Sequence, residues 1–336
     1  VSGAASVPGA GVTVREVTFD TPGLEAIWER LLEASDTRLL PQSFVWQRLW
    51  WDTLGRGRLV LLLAERAGEP VAIAPLCALE GMLFFLGAGE TDQGDFIGAG
   101  HDPAVLTALL AAARERTADF AGAKFYFLPE RSRTTAVLPT AAAALGLELF
   151  EMGDLDCVEV DIARDPEAVR RAVSRSMRKA ENFFHSGGVL TVQRLTTAAE
   201  VLPLLPEFFA MHVARWRLKE IDSPYLVPAS RTFLTRWIEV SAARGWLRVV
   251  RLEWNGRTLG MDLNWHHGTR QHSGQWVFDI EHFRRSPGQI LLRHSVLMAL
   301  DAGMHTYDLG LGDQTYKFRL PADRVRTVTW GLYPPE

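Results

Sequence analysis

The sequence predicts an α/β chain of two similar units, each a mostly antiparallel mixed sheet with helices on both faces. Three observations carry that reading. The first is a repeated hairpin. Gly57-Arg58-Leu59-Val60-Leu61-Leu62 leads to Glu65 and Gly68, and Gly245-Trp246-Leu247-Arg248-Val249-Val250 leads to Glu253 and Gly256, with the same spacing in both. The second is an amphipathic helix before each hairpin, marked by Phe44, Trp46, Leu49, Trp50 and Leu54 in one half and Phe233, Leu234, Trp237 and Ile238 in the other. The third is a helical stripe after each hairpin, closed by a glycine and followed by a short apolar run. Two such stretches in the same order, with matching glycines, argue for duplication.

The elements follow in order. Val1-Ser2-Gly3-Ala4-Ala5 reads as a small-residue tail, with neither the basic nor the apolar region of a signal peptide. Leu59–Ala64 reads as a strand, Gly68 as its turn and Val71–Leu79 as the return. Short turns join three consecutive middle strands, so these are antiparallel neighbours. Val105, Leu106, Leu109, Leu110 and Ala113 then line one helix face, ended by Ala121-Gly122, and Lys124–Leu128 is a strand that pairs in parallel through this crossover. Residues 165–185 form a charged linking helix, capped by Asp165 with Pro166 in its first turn. The second half repeats the plan with Leu259–Trp265 as return strand, a helix marked by Leu292, Val296, Ala299 and Gly303, and the strand His305–Leu309. Each half reads β-α-α-β-β-β-α-β, which places one unit at residues 11–153 and the other at 154–336.

Composition narrows the class. With 47% hydrophobic residues, 11 Trp and 17 Phe, the chain is not disordered. The two cysteines, Cys77 and Cys157, exclude a disulfide scaffold or a cysteine-rich zinc site, and suit a reducing compartment. A net charge of −4 argues against general binding to DNA. No apolar run reaches the roughly 18 residues of a membrane span, and a soluble cytoplasmic protein is expected.

The element order resembles that of the GNAT acyltransferases. Phe283-Arg284-Arg285-Ser286-Pro287-Gly288 before the last long helix, Ala302-Gly303-Met304-His305-Thr306-Tyr307-Asp308-Leu309-Gly310 after it, and Tyr316-Lys317-Phe318 beyond add detail. With Arg215-Trp216 and the basic stretch Ser174–Lys179, they resemble the CelD-type acetyltransferases of cellulose and exopolysaccharide synthesis, and more distantly the Fem-type aminoacyltransferases. The resemblance covers residues 12–330. It implies two tandem GNAT-like domains and acyl transfer from acyl-CoA, bound in the second half, to a sugar or glycan hydroxyl or amine. Acceptor selection would fall between the halves.

Particular residues can be weighed for that chemistry. Ser286, Pro287 and Gln289 make a good capped helix start. The same turn, with Gly288 bare and Arg284 and Arg285 beside it, suits a pyrophosphate, although the usual two-glycine spacing is missing. Asp308 ends a buried strand and can serve as a base or cap the loop after it. Lys317 reads as a solvated lysine; in the related families a lysine in this context lies near the site and would steady an oxyanion or hold an acceptor anion. His266, His267 and His272 read as an exposed hairpin tip, with His272 also a candidate base. Gln275 lies on the opposite face of that strand and is a candidate for contacting substrate. Arg171, Arg175, Arg178 and Lys179 form a basic stripe on the linking helix, solvated or facing an anionic substrate, and Arg215 and Trp216 extend it with a stacking surface. Asp92 and Asp95 form a carboxylate pair for an acceptor. His101-Asp102-Pro103 puts an acid where the first half would need a phosphate loop, so one donor site is expected. No metal-ligand spacing and no nucleophile elbow occur, which favours direct attack, with backbone amides near Trp276–Asp279 steadying the oxyanion. The alternatives are Fem-like transfer from aminoacyl-tRNA and a catalytically silent acyl-CoA-binding or scaffold module.

Overall fold

The computed structural model describes residues 11–335 and the backbone of Ala5 and Ser6; of residues 174–176 it describes the backbone alone. The chain divides into two units. One ends at Asp156 and takes in Val325 onward; the other is Cys157–Arg324.

In the first unit, β1 (Val12–Glu16) precedes helices α1 (Leu24–Glu33) and α2 (Phe44–Leu54). Three strands follow, β2 (Arg58–Arg66), β3 (Glu69–Leu79) and β4 (Met82–Phe85). Helix α3 (Pro103–Glu115) crosses over to β5 (Gly122–Pro129), and α4 (Arg133–Ala144) leads on to β6 (Glu148–Asp161). Strands β1 to β4 are antiparallel neighbours and β4 pairs with β5 in parallel. Leu62, Leu106, Leu109, Phe125 and Leu138 lie at the centre of its core.

The second unit opens with α5 (Pro166–Ser176), α6 (Arg178–Ser186) and β7 (Leu190–Leu195). Helices α7 (Leu205–Arg217) and α8 (Pro228–Ala243) follow, then β8 (Leu247–Trp254), β9 (Arg257–His267) and β10 (Arg270–Phe278). Helix α9 (Pro287–Asp301) crosses over to β11 (Thr306–Leu311), and β12 (Ala322–Tyr333) ends the chain. Strands β7 to β10 are antiparallel, β10 and β11 are parallel, and Cys157–Asp161 of β6 runs antiparallel along β11. This is the strand plan of the first unit. The repeated hairpins also turn alike: Ala67-Gly68 has φ of 52° and 82°, Asn255-Gly256 of 51° and 79°. Both central residues being left-handed gives the tight two-residue turn whose twist suits flanking strands.

Two expectations are corrected here. The second unit does not run to residue 336, because Thr327–Leu332 pairs antiparallel with β5 and supplies the first unit with the strand beside its crossover strand. The linking helix is two helices, broken at the buried Met177. Asp165 does cap the first, accepting from the Ala168 amide at 2.8 Å. The break interrupts the stripe of Arg171, Arg178 and Lys179, and the Arg175 side chain lies outside the described residues.

One feature of the second sheet positions the site. Strands β10 and β11 pair only at Arg270–Thr306, Gln271–Tyr307 and His272–Asp308. Beyond these, β10 follows β9 and β11 follows β6, so the sheet forks. Each wall bulges just past the vertex. On β10 the extra residue falls at Gly274–Gln275, between the pairs Asn264–Ser273 and Asp262–Trp276. On β11 it falls at Leu309–Gly310, where Gly310 has a φ of 73°. Bulges bend a strand and re-aim its side chains, as an opening between parallel strands requires.

Candidate active site

The last paired residues, His272 and Asp308, occupy the vertex. His272 Nδ1 lies 3.6 Å from Asp308 Oδ2, and Asp308 Oδ1 accepts from the Gly310 amide at 2.9 Å. Burial alone would raise the Asp308 pKa, but the neighbouring His272 imidazole, the Arg270 charge and the Gly310 amide together hold it at about 2. Such a carboxylate is a weak base at neutral pH. It caps its loop, as one of the two readings of the sequence has it, and faces an imidazole. The histidine tip is corrected. His266 and His272 are buried, and His272 Nε2 is buried with no hydrogen-bond partner. Desolvation lowers the pKa of His266, and lowers that of His267 to about 4.

Lys317 is buried, not solvated. Its ammonium donates to the carbonyls of Gly310, Leu311 and Gly312 at 2.8, 2.9 and 2.8 Å. These bonds fix the loop that leaves β11 and engage all three N–H donors of the ammonium.

The other wall is built on the β10 bulge. Arg215, on α7, donates to the Trp276 carbonyl at 2.7 Å and lies 4.1 Å above its ring and 5.2 Å from that of Phe278. Burial lowers the Arg215 pKa. The Trp276 ring also meets Tyr316 edge-on at 5.6 Å. It further covers the start of α9, where a Cβ on Gly288 would fall 2.2 Å from the indole. Gly288 is therefore bare to admit this ring, which corrects the reading that it leaves room for phosphate. Ser286 does not cap the helix. Its φ of 56° turns it away, and its carbonyl accepts from the Gln289 amide at 3.0 Å, leaving that amide engaged. The Asp279 amide likewise donates to Leu259, so it is not an oxyanion donor. Arg284 and Arg285 are exposed beside a cavity of about 530 Å³ lined by Leu218, Ile280 and Phe283, with Arg285 4.2 Å from the Phe183 ring.

Residues 167–318 match the family model described as an acetyltransferase (GNAT) domain. That stretch is thus similar to a GNAT acetyltransferase domain. The match ends just past Lys317, so β10, the paired part of β11 and the Lys317 loop all fall inside it. Similar solved structures span both units. The structure of FemX shares 12% identity at a TM-score of 0.66, covering 95% of this chain and 96% of that one. A tandem GNAT protein from the clavulanic acid biosynthesis pathway shares 13% at 0.55, covering 97% and 99%. A conserved protein of unknown function from Bacteroides thetaiotaomicron shares 10% at 0.59, covering 95% and 99%. At these identities the likeness is one of fold, and it supports a tandem GNAT arrangement. No curated protein matches the sequence.

Several polar residues of the second unit escaped the sequence reading. His212, on α7, is 1% exposed; its Nδ1 lies 2.8 Å from Ser223 Oγ and its Nε2 3.2 Å from Gln275 Oε1. Trp216 stacks on it at 5.0 Å, and Tyr225 meets it edge-on at 4.7 Å. Trp216 thus presents a face to this imidazole. The spacing of His212 and Trp216, one helical turn apart, was the available signal. On the α9 side, Ser295 donates to Asp262 Oδ2 at 2.6 Å, Asn264 donates to Ser295 at 3.2 Å, and Tyr307 donates to Asn264 at 2.7 Å. Asp262 is 3% exposed, its Oδ1 has no partner, and desolvation lifts its pKa to about 6 against the hydrogen bonds from Ser295 and Asn264.

The remaining expected residues are placed elsewhere. In the first unit Asp92 is exposed while Asp95 is buried, accepting from Ser132 at 2.6 Å with its pKa raised by desolvation to about 6. They do not form a surface carboxylate pair. Asp102 caps α3 there, accepting from the Ala104 and Val105 amides. Arg178 begins α6 and is exposed. Among the described residues, no group of three or more His, Cys, Asp or Glu side chains could hold a metal ion. No helix among them is long and apolar enough to cross a membrane.

Proposed function

We propose that the second unit transfers an acyl group from acyl-CoA to an amine or hydroxyl by direct attack. The observation that carries this is the fork between β10 and β11, with an unpartnered buried imidazole nitrogen at its vertex. His272 is the base. The acceptor lone pair forms the new bond to the thioester carbonyl carbon, and His272 Nε2 takes the acceptor proton. Asp308 holds the ring through the Nδ1 side and steadies the imidazolium. The carbon–sulfur bond then breaks, and the proton returns to the leaving thiolate. Lys317 keeps the β11 loop in register with this pair. Arg284 and Arg285 supply countercharge for the coenzyme phosphates. The resemblance to CelD-type enzymes supports a sugar or glycan acceptor in polysaccharide biosynthesis.

Isothermal calorimetry of the full chain against coenzyme A and acetyl-CoA tests the donor. Saturable binding is expected, weakened about tenfold or more in an Arg284→Ser, Arg285→Ser double variant, since each charge-assisted phosphate contact contributes on the order of 1.5–3 kcal/mol. No binding of either ligand would overturn the reading, as would salt-sensitive binding of aminoacyl-tRNA in its place.

A further inference from the structure

We propose that Ser223, His212 and Gln275 form a buried relay that fixes the Gln275 side chain, so that its amide N–H group is presented to the acyl carbonyl in the fork. The inference rests on the acyl-transfer reading above and deepens it.

The hydrogen-bond directions follow from the contacts. Gln275 Oε1 faces His212 Nε2, so that nitrogen carries the hydrogen and donates it. Nδ1 is then an acceptor, and it receives the Ser223 hydroxyl hydrogen at 2.8 Å. Ser223 Oγ in turn accepts from the Tyr225 amide at 3.2 Å, which leaves its own hydrogen for the ring. One consistent set of protons satisfies every member. Trp216 on one face and Tyr225 at the edge prevent the ring from turning. Desolvation lowers the His212 pKa to about 4, with the charges of Arg215 and Lys219 adding to it, while the Gln275 bond opposes the shift. The ring therefore stays neutral at physiological pH, and its tautomer is set.

The relay ends where the strand has been reshaped. Gln275 is on the β10 bulge and is exposed, while His212, Ser223 and Tyr225 behind it are buried. With Oε1 held from behind, the amide nitrogen is the end left to face a ligand. A neutral donor set on rigid supports is what a developing oxyanion needs, because it requires no reorganisation as charge appears. This gives His212 a different task from His272. Both rings are buried, but His212 has both nitrogens engaged and His272 has one unpartnered. His212 and Ser223 are positioning residues acting through Gln275.

The test has two arms. In the first, nitrogen-15 NMR of the full chain reads the His212 tautomer. The neutral Nε2–H form is expected from pH 5 to 8, and an Nδ1–H form or a charged ring at pH 6 would overturn the relay. In the second, acetyl-CoA is the donor and hydroxylamine the generic nucleophile, with the hydroxamate measured. Gln275→Glu keeps an acceptor for His212 Nε2–H but replaces the outward donor with an acceptor. It should lower kcat about 10²-fold while KM for acetyl-CoA and the thermal midpoint hold. His212→Leu should lower kcat, and His212→Gln, which keeps a donor near Nε2, should restore most of it. Unchanged turnover in Gln275→Glu, or equal losses in both His212 variants, would overturn the proposal. If the unaltered chain binds no coenzyme A and makes no hydroxamate, the acyl-transfer reading fails, while the tautomer arm still judges the relay by itself.

Discussion

Asp262→Asn gives the sharpest physical test of the second unit, because it removes a buried carboxyl whose titration makes stability depend on pH. The Asp262 carboxyl, 3% exposed, is lifted from an ordinary 3.8 to about 6 by desolvation. The sign follows from proton binding. Between these values the folded state holds a proton that the unfolded chain releases, so stability is full below about 3.8 and falls as pH rises through 6. At pH 5 the folded group keeps most of its proton; at pH 8 it has lost it. At 1.36 kcal/mol per unit of pKa, the term is worth about 1.4 kcal/mol at pH 5 and vanishes at pH 8. Asparagine keeps an oxygen for the Ser295 hydroxyl but has no such proton to lose. Its unfolding free energy relative to the unaltered chain should therefore rise by about 1.4 kcal/mol between pH 5 and pH 8. Urea unfolding at both pH values, followed by tryptophan fluorescence, measures this directly. Any constant cost of burying the new amide cancels in the comparison. A difference that stays flat with pH, or runs the other way, would refute the claim that the carboxyl is desolvated and uncompensated at Oδ1.

Other perturbations separate structure from chemistry. Lys317→Met removes three carbonyl contacts from a buried ammonium and should cost about 3 kcal/mol, lowering Tm; an unchanged Tm would mean that the loop is held otherwise. Asp308→Asn keeps an acceptor for the Gly310 amide but removes the charge facing His272. Hydroxamate formation should fall by roughly 10²–10⁴ with coenzyme A binding retained, and full turnover would remove Asp308 from the mechanism. Gly288→Ala should cost about 1–3 kcal/mol through its clash with the indole and recover in the double variant with Trp276→Ala. Equal Tm in Gly288→Ala and the unaltered chain would show that the ring is not packed there.

The fold was legible because the repeated signals are local. A hairpin needs two left-handed residues, and Ala67-Gly68 and Asn255-Gly256 supply them at the matching places in both halves. A crossover needs one apolar helix face, and Val105–Leu110 and Ile290–Ala299 provide it. What local pattern does not carry is which distant strand completes a sheet. Thr327–Leu332 has the alternating look of a strand that could close either unit, and only its register with β5 assigns it to the first. Nor does helical periodicity show that Met177 breaks one linking helix into two.

At the site, residue types were readable but their partners were not. Asp308 and His272 were each singled out, yet their pairing depends on parallel strands joined by a whole crossover helix. That pairing sets the two side chains 3.6 Å apart at the vertex of the fork, and the proposed division of roles between them rests on it. The burial of Lys317 depends on three carbonyls at and just beyond the β11 bulge at Leu309–Gly310. Gln275 faces His212 because β10 bulges opposite, and strict alternation along a strand gives no sign of a bulge. The two bulges therefore do more than widen the fork. One turns loop carbonyls onto a cation and so fixes the wall that bears Asp308, and the other turns an amide onto a neutral imidazole and so fixes the wall that bears Trp276. Each wall is held by a group from outside the sheet, Lys317 on one side and His212 on the other.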